Sequence, residues 1–167
     1  MFELKTLSKD AIPAALTQAE RYRLLNEPAE AESICLDILK IEPDQQEALS
    51  TLILACTDQF AEGYIVRAMS QAERALKAIR DEYKRLYLTG IVRERRGKAE
   101  LRDDRPGSGA SAQQLIRDAM SWYERAEAIH PPGTDEALLR WNTCARILMN
   151  LPTQAPDIHE YNAIQSE

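Results

Sequence analysis

Phenylalanine is almost missing from this chain, with two residues in 167, and glycine is nearly as scarce, with six. Strand-favouring aromatic and β-branched residues are few, whereas Ala, Leu, Glu and Arg abound, so the composition points to helices and away from sheets. No run of about 18 uncharged apolar residues occurs, so no segment is expected to span a membrane. Met1-Phe2-Glu3-Leu4-Lys5 leads into no long apolar stretch, so no signal peptide is expected either. Cysteine is limited to Cys35, Cys56 and Cys144, far apart and inside helical apolar patterns, with no CxxC pair. The two histidines, His130 and His159, lie outside those patterns. Zinc is therefore not expected, nor is any other metal or cofactor, and an odd number of dispersed thiols favours a reducing, cytoplasmic setting.

What is present is a globular share of apolar residues, 44%, in a length that suits one domain. The net charge of −6 is unevenly spread. Residues 1–66 carry 5 basic and 12 acidic side chains, residues 67–105 carry 12 and 7, and residues 106–167 carry 4 and 8. An acidic chain makes a poor nucleic-acid binder, because phosphate contacts need a clustered positive field. Only the basic middle could supply one, and such a stretch is more often a solvated helix face interleaved with its own glutamates.

Apolar residues at helical spacing divide the chain into seven segments. The first covers about 12–25, with Leu16, Ala19, Tyr22 and Leu25 on one face. Asn26-Glu27-Pro28 breaks it, and Pro28 suits the first turn of a second helix reaching about Ile41. Glu42-Pro43 ends that helix, since a residue before proline disfavours the α region. Asp44 with Glu47 reads as a capping-box-like start to the third helix, which carries Leu49, Leu52, Ile53 and Cys56. A fourth follows Gly63 with Ala68, Ala72, Ala75 and Leu76, and a fifth begins near Glu82 with Leu86, Tyr87, Gly90 and Ile91. Residues 102–110 form a loop by composition, and a sixth helix covers about 111–129 before His130-Pro-Pro-Gly133. Thr134 is the expected cap of the seventh, which buries Leu138, Trp141, Ala145 and Leu148. Residues 1–11 are a lead-in and 151–167 an irregular tail.

The segments repeat. Ala31 precedes Ile38 by seven residues, as Ala68 precedes Ala75 and Ala119 precedes Ala126. Ala19 to Ile53 and Tyr22 to Cys56 are each 34 apart. Ala31 to Ala68 is 37 and Ala68 to Ala119 is 51, the excess of the latter falling where the Pro-Gly-Ser-Gly stretch sits. With Ala19-x-x-Tyr22, Asn26-Glu-Pro-Ala-Glu-Ala31-Glu and Leu39-Lys-Ile-Glu-Pro43, followed by Leu88-Thr-Gly90, Gly97 and Ala119-x-x-x-Tyr123-x-x-Ala126-Glu-Ala-Ile-His-Pro131, the chain resembles the tetratricopeptide repeat family. The resemblance spans about 12–150. It is strong in the first repeat and degenerate in the second, which ends Ala78-Ile-Arg80 without a closing proline.

That resemblance implies an all-α, tetratricopeptide-like helical-hairpin solenoid of about three repeats plus a C-terminal capping helix, anchored by Trp141. It also implies a right-handed superhelix whose odd helices line a concave groove for an extended or helical peptide. The implied lining is Leu16, Glu20 and Arg23 on the first helix and Ser50, Leu54 and Asp58 on the third. Lys84, Tyr87, Ile91 and Arg95 follow on the fifth, and Leu139, Thr143 and Arg146 on the seventh. Some members of the family grip a partner's terminal carboxylate with Lys/Arg and Asn, but here Glu20, Ser50 and Asp58 occupy that surface.

Gly107-Ser-Gly109 is no phosphate loop, because no strand precedes it and no lysine follows at the required spacing. Neither histidine lies in a pattern with Ser or Cys that marks a nucleophile and its base, so no catalytic residues are expected. The expected function is non-catalytic: an adaptor or scaffold that binds another protein or peptide. Alternatives are a self-associating structural subunit, a small secretion-type chaperone, and RNA or acidic-partner binding through residues 67–105.

Overall fold

The computed structural model describes residues 2–103 and 106–151, and among these the chain forms seven α-helices, two short 3-10 turns and no strand. The helices are α1 (Ile12–Leu24), α2 (Pro28–Ile41), α3 (Gln46–Asp58), α4 (Ile65–Ala78), α5 (Glu82–Glu100), α6 (Ser108–Glu127) and α7 (Glu136–Asn150). The tail, apart from Leu151, lies outside the described residues, as do His159 and positions 104 and 105 of the expected loop.

Local chemistry sets most boundaries. After α1, Asn26 takes the left-handed conformation at φ 60°, which asparagine tolerates better than most residues. The Asn26 amide donates to Arg23 O and the Glu27 amide to Tyr22 O (2.9 Å), a Schellman closure that satisfies two end carbonyls. Pro28 then opens α2 at a position where its missing N–H costs nothing. The cap of α3 is Gln45, whose Oε1 accepts from the Ala48 amide at 2.8 Å, and not Asp44, which instead pairs with Arg80 across to the end of α4. Asp81 caps α5 by accepting from the Lys84 amide at 2.6 Å.

Each helix packs on the next, most extensively α5 on α6, while α1 meets α3 and α3 meets α5, so these three odd helices share a layer. The repeated alanines explain how. Ala19, Ala31, Ala68, Ala72, Ala119 and Ala126 are all fully buried, and side chains this small let neighbouring helices approach closely. One core cluster runs from Ala19 to Cys144, with a smaller one around Ile12, Ile38 and Ala48.

Several expectations are corrected. Of the loop expected at 102–110, residues 108–110 belong to α6, while the described residues 102, 103, 106 and 107 lie outside any helix; α5 and α6 are also long, with 19 and 20 residues where α3 and α4 have 13 and 14. Glycine makes that possible, because Gly97 lets Ile116 and the Ala112 carbonyl lie against the α5 backbone. Thr134 does not cap α7; Asp135 precedes it, with no side-chain cap. Leu25 and Leu138 are exposed, and the buried residues of α7 are Ala137 and Cys144. Trp141 is half-buried, its indole N–H donating to Glu124 at 2.9 Å.

Candidate binding groove

The shared face of the odd helices holds a cavity of about 520 Å³. Its floor is apolar and aromatic: Leu54 from α3, then Tyr83, Tyr87, Leu88 and Ile91 from successive turns of α5. Tyr83 and Tyr87 are stacked with ring centroids 6.1 Å apart, as their i, i+4 spacing on one helix allows. Arg23, Lys84, Arg95 and Arg140 stand around this floor, with Asp81, Glu136 and Ser50.

The rim charges are held in place. Asp58 accepts from Arg23 Nε at 2.7 Å and pairs with Arg95 through its other oxygen. Arg95 also donates to Thr57 Oγ1 at 2.6 Å and to the Leu54 carbonyl at 3.3 Å. One carboxylate thus ties α1, α3 and α5 together. Burial pushes the Arg95 guanidinium below its usual range and Asp58 opposes that, but arginine stays charged throughout.

A second network lies beneath the rim. Glu94 has no exposed surface, yet it accepts from the Tyr123 hydroxyl at 2.6 Å, from Arg140 at 3.2 Å and from Lys98. These donors come from α6, α7 and α5, so the carboxylate fixes the far end of the stack. Desolvation, reinforced by the Glu94 charge, pushes the Tyr123 phenol upward. On the opposite side Glu32 meets Arg67 through two bonds of 2.5 and 3.0 Å and Gln59 at 2.6 Å. Burial alone would raise the Glu32 carboxyl, but those hydrogen bonds and the Arg67 charge hold it below its ordinary value.

Of the residues expected to line a groove, Arg23, Ser50, Leu54, Lys84, Tyr87, Ile91 and Arg95 meet at this cavity. Leu16 and Glu20 lie with Ser50 and Lys84 on a wider cavity of about 930 Å³ at the N-terminal ends of α1 and α3. Asp58 lines an adjoining recess of about 320 Å³. The three α7 residues are not brought to this face. Leu139 and Arg146 are exposed, and the Thr143 hydroxyl donates to the Leu139 carbonyl; Glu136 and Arg140 face the cavity instead. Sequence reasoning missed Glu94 altogether. The signal available was spacing alone: Gly90, Glu94 and Gly97 follow one helical face, and both glycines lie against α6.

Six of the twelve basic residues of the stretch 67–105 meet acidic partners. Arg67 pairs with Glu32, Arg80 with Asp44, Arg93 with Asp118, Arg95 with Asp58, Arg96 with Glu100 and Lys98 with Glu94. The three cysteines are free and buried, and desolvation pushes each thiol from 9.0 up to about 12. A thiol reagent at about pH 8 is therefore expected to leave the native protein unmodified and to titrate all three thiols in urea. Prompt native reaction of even one would contradict their burial. Among the described residues no group of three or more His, Cys, Asp or Glu side chains could hold a metal ion, and no helix is long and apolar enough to cross a membrane.

Comparison of the chain with family models, with curated proteins and with solved structures finds no match.

Proposed function

We propose that this chain is a tetratricopeptide-like solenoid of three hairpins closed by α7, and that it acts as a non-catalytic adaptor that holds a partner polypeptide on the face of its odd helices. The observation that carries this reading is the cavity of about 520 Å³, with Tyr83, Tyr87, Leu54 and Ile91 on its floor and fixed guanidinium groups at its edge. Rigid aromatic anchors beside pre-positioned charges lose little entropy on binding, and such positions dominate interface energetics. Burial keeps all three thiols protonated, so none of them is offered as a nucleophile in this reading.

The test is a pull-down read by mass spectrometry with the intact chain, Tyr87→Ala and Leu54→Glu. Losing a central tyrosine anchor costs about 2 kcal/mol or more, roughly 30-fold in affinity. Both variants are expected to lose the partner while keeping helicity by circular dichroism. Retention of the partner by both variants would remove the groove from consideration.

A further inference from the structure

The three cavities of the odd-helix face adjoin one another. The largest shares Ser50 and Lys84 with the aromatic one, which in turn shares Arg95 and Arg140 with the smallest. Taken in this order they form a channel of adjoining recesses, from the N-terminal ends of α1 and α3, across Tyr83 and Tyr87, to the C-terminal ends of α3 and α5.

Its two mouths carry opposite charge. At the first, the four carboxylates of Asp10, Glu20, Glu42 and Glu47 outnumber two ammonium groups, Lys9, which pairs with Glu42 at 3.2 Å, and Lys84. At the second, Arg95, Lys98, Arg102 and Arg140 line the wall. Asp58 there is shared by two guanidinium groups, Glu94 by Lys98 and Arg140, and Arg102 has no acidic partner among the described residues. That mouth is left with surplus positive charge. Carboxylates of the acidic front thus dominate one end of the channel, and cations from α5, Arg102 and Arg140 dominate the other.

The spacing makes the two ends electrically independent. The 19-residue α5 that runs beside the channel is about 28 Å long, whereas charges in physiological salt are screened over about 8 Å. Neither mouth cancels the other. A uniformly acidic or basic strand, or a nucleic-acid backbone, would be favoured at one mouth and repelled at the other.

We infer that the occupant is a bipolar segment of another polypeptide, with Lys or Arg at one end, large apolar or aromatic side chains in the middle and Asp or Glu at the other. About eight residues would span the channel in extended form. This rests on the groove reading above and specifies its partner.

Three synthetic peptides test it, each with the same Leu- and Tyr-containing middle and a neutral fluorophore. One is basic at one end and acidic at the other, one is basic at both ends, and one is acidic at both. Titrated against the full chain by fluorescence anisotropy, the bipolar peptide is expected to bind at least ten-fold tighter than either of the others. Reversing the first mouth with Glu20→Lys and Glu47→Lys should move the preference to the doubly acidic peptide, and Arg102→Glu should weaken the bipolar one. Equal affinity for all three, or a preference unmoved by the charge reversals, overturns the inference. Equal binding that Tyr87→Ala abolishes would overturn it while leaving the groove reading intact. Absence of binding to all three also overturns it, the groove reading then standing or falling on the pull-down.

Discussion

Glu94→Ala is expected to destabilise the protein by about 3–5 kcal/mol, the cost of removing one partner from a buried ion pair. The size follows from what stays behind. Arg140 and Lys98 lose the carboxylate that compensates them, and the fully buried Tyr123 hydroxyl loses its acceptor. At this chain length each kcal/mol moves the melting temperature by roughly 2–4 °C, so a drop of about 6–20 °C is expected by calorimetry. Two controls apportion it. Tyr123→Phe removes one hydrogen bond and should cost about 1 kcal/mol, while Glu94→Gln keeps the volume and an acceptor but removes the charge, and should fall between. A Glu94→Ala protein that melts with the parent would show that the network carries no stability.

The second large effect runs against helix propensity. Glycine inside a helix is about 1 kcal/mol worse than alanine, so Gly90→Ala in the middle of α5 looks stabilising from sequence alone. The packing reverses the sign. A Cβ at Gly90 would run into Tyr123 Cε1 and sit 2.7 Å from Cδ1, far inside van der Waals contact. The ring cannot swing away, because it is fully buried and Glu94 holds its hydroxyl. Overpacking of this kind should cost about 2–3 kcal/mol net, seen as an earlier urea midpoint. In a Tyr123→Ala background the space exists, and the same substitution should become neutral or stabilising by up to about 1 kcal/mol. A later midpoint for Gly90→Ala in the parent would mean that α5 and α6 are not packed so closely.

These two sites mark where sequence reasoning succeeds and where it stops. Alanines seven apart, Pro28, Pro43 and the Asn26 turn each act on their own neighbours, so the helices they shape are legible from the chain. Groove positions on α1, α3 and α5 follow from the same period once one face is known to be shared. The seventh helix is different. It is the last of the described helices, and Leu138, Leu139 and Trp141 offer competing apolar faces. Ala137 and Cys144 are the residues buried, which turns Arg140 to the channel and leaves Leu139 outside. Nothing local distinguishes these faces; contact with α6 does.

Residue order alone, through helical period, small-residue spacing and breaker chemistry, was sufficient to specify an all-helical chain and nearly every boundary in it. Those are short-range effects, complete within a few turns of helix. Tertiary structure alone decided which charges are matched. Arg23 meets Asp58 across 35 positions, and Arg140 meets Glu94 across 46. The energy of a charge depends on what surrounds it in space, so neither the burial of Glu94 nor the opposed mouths of the channel exist until the helices are packed.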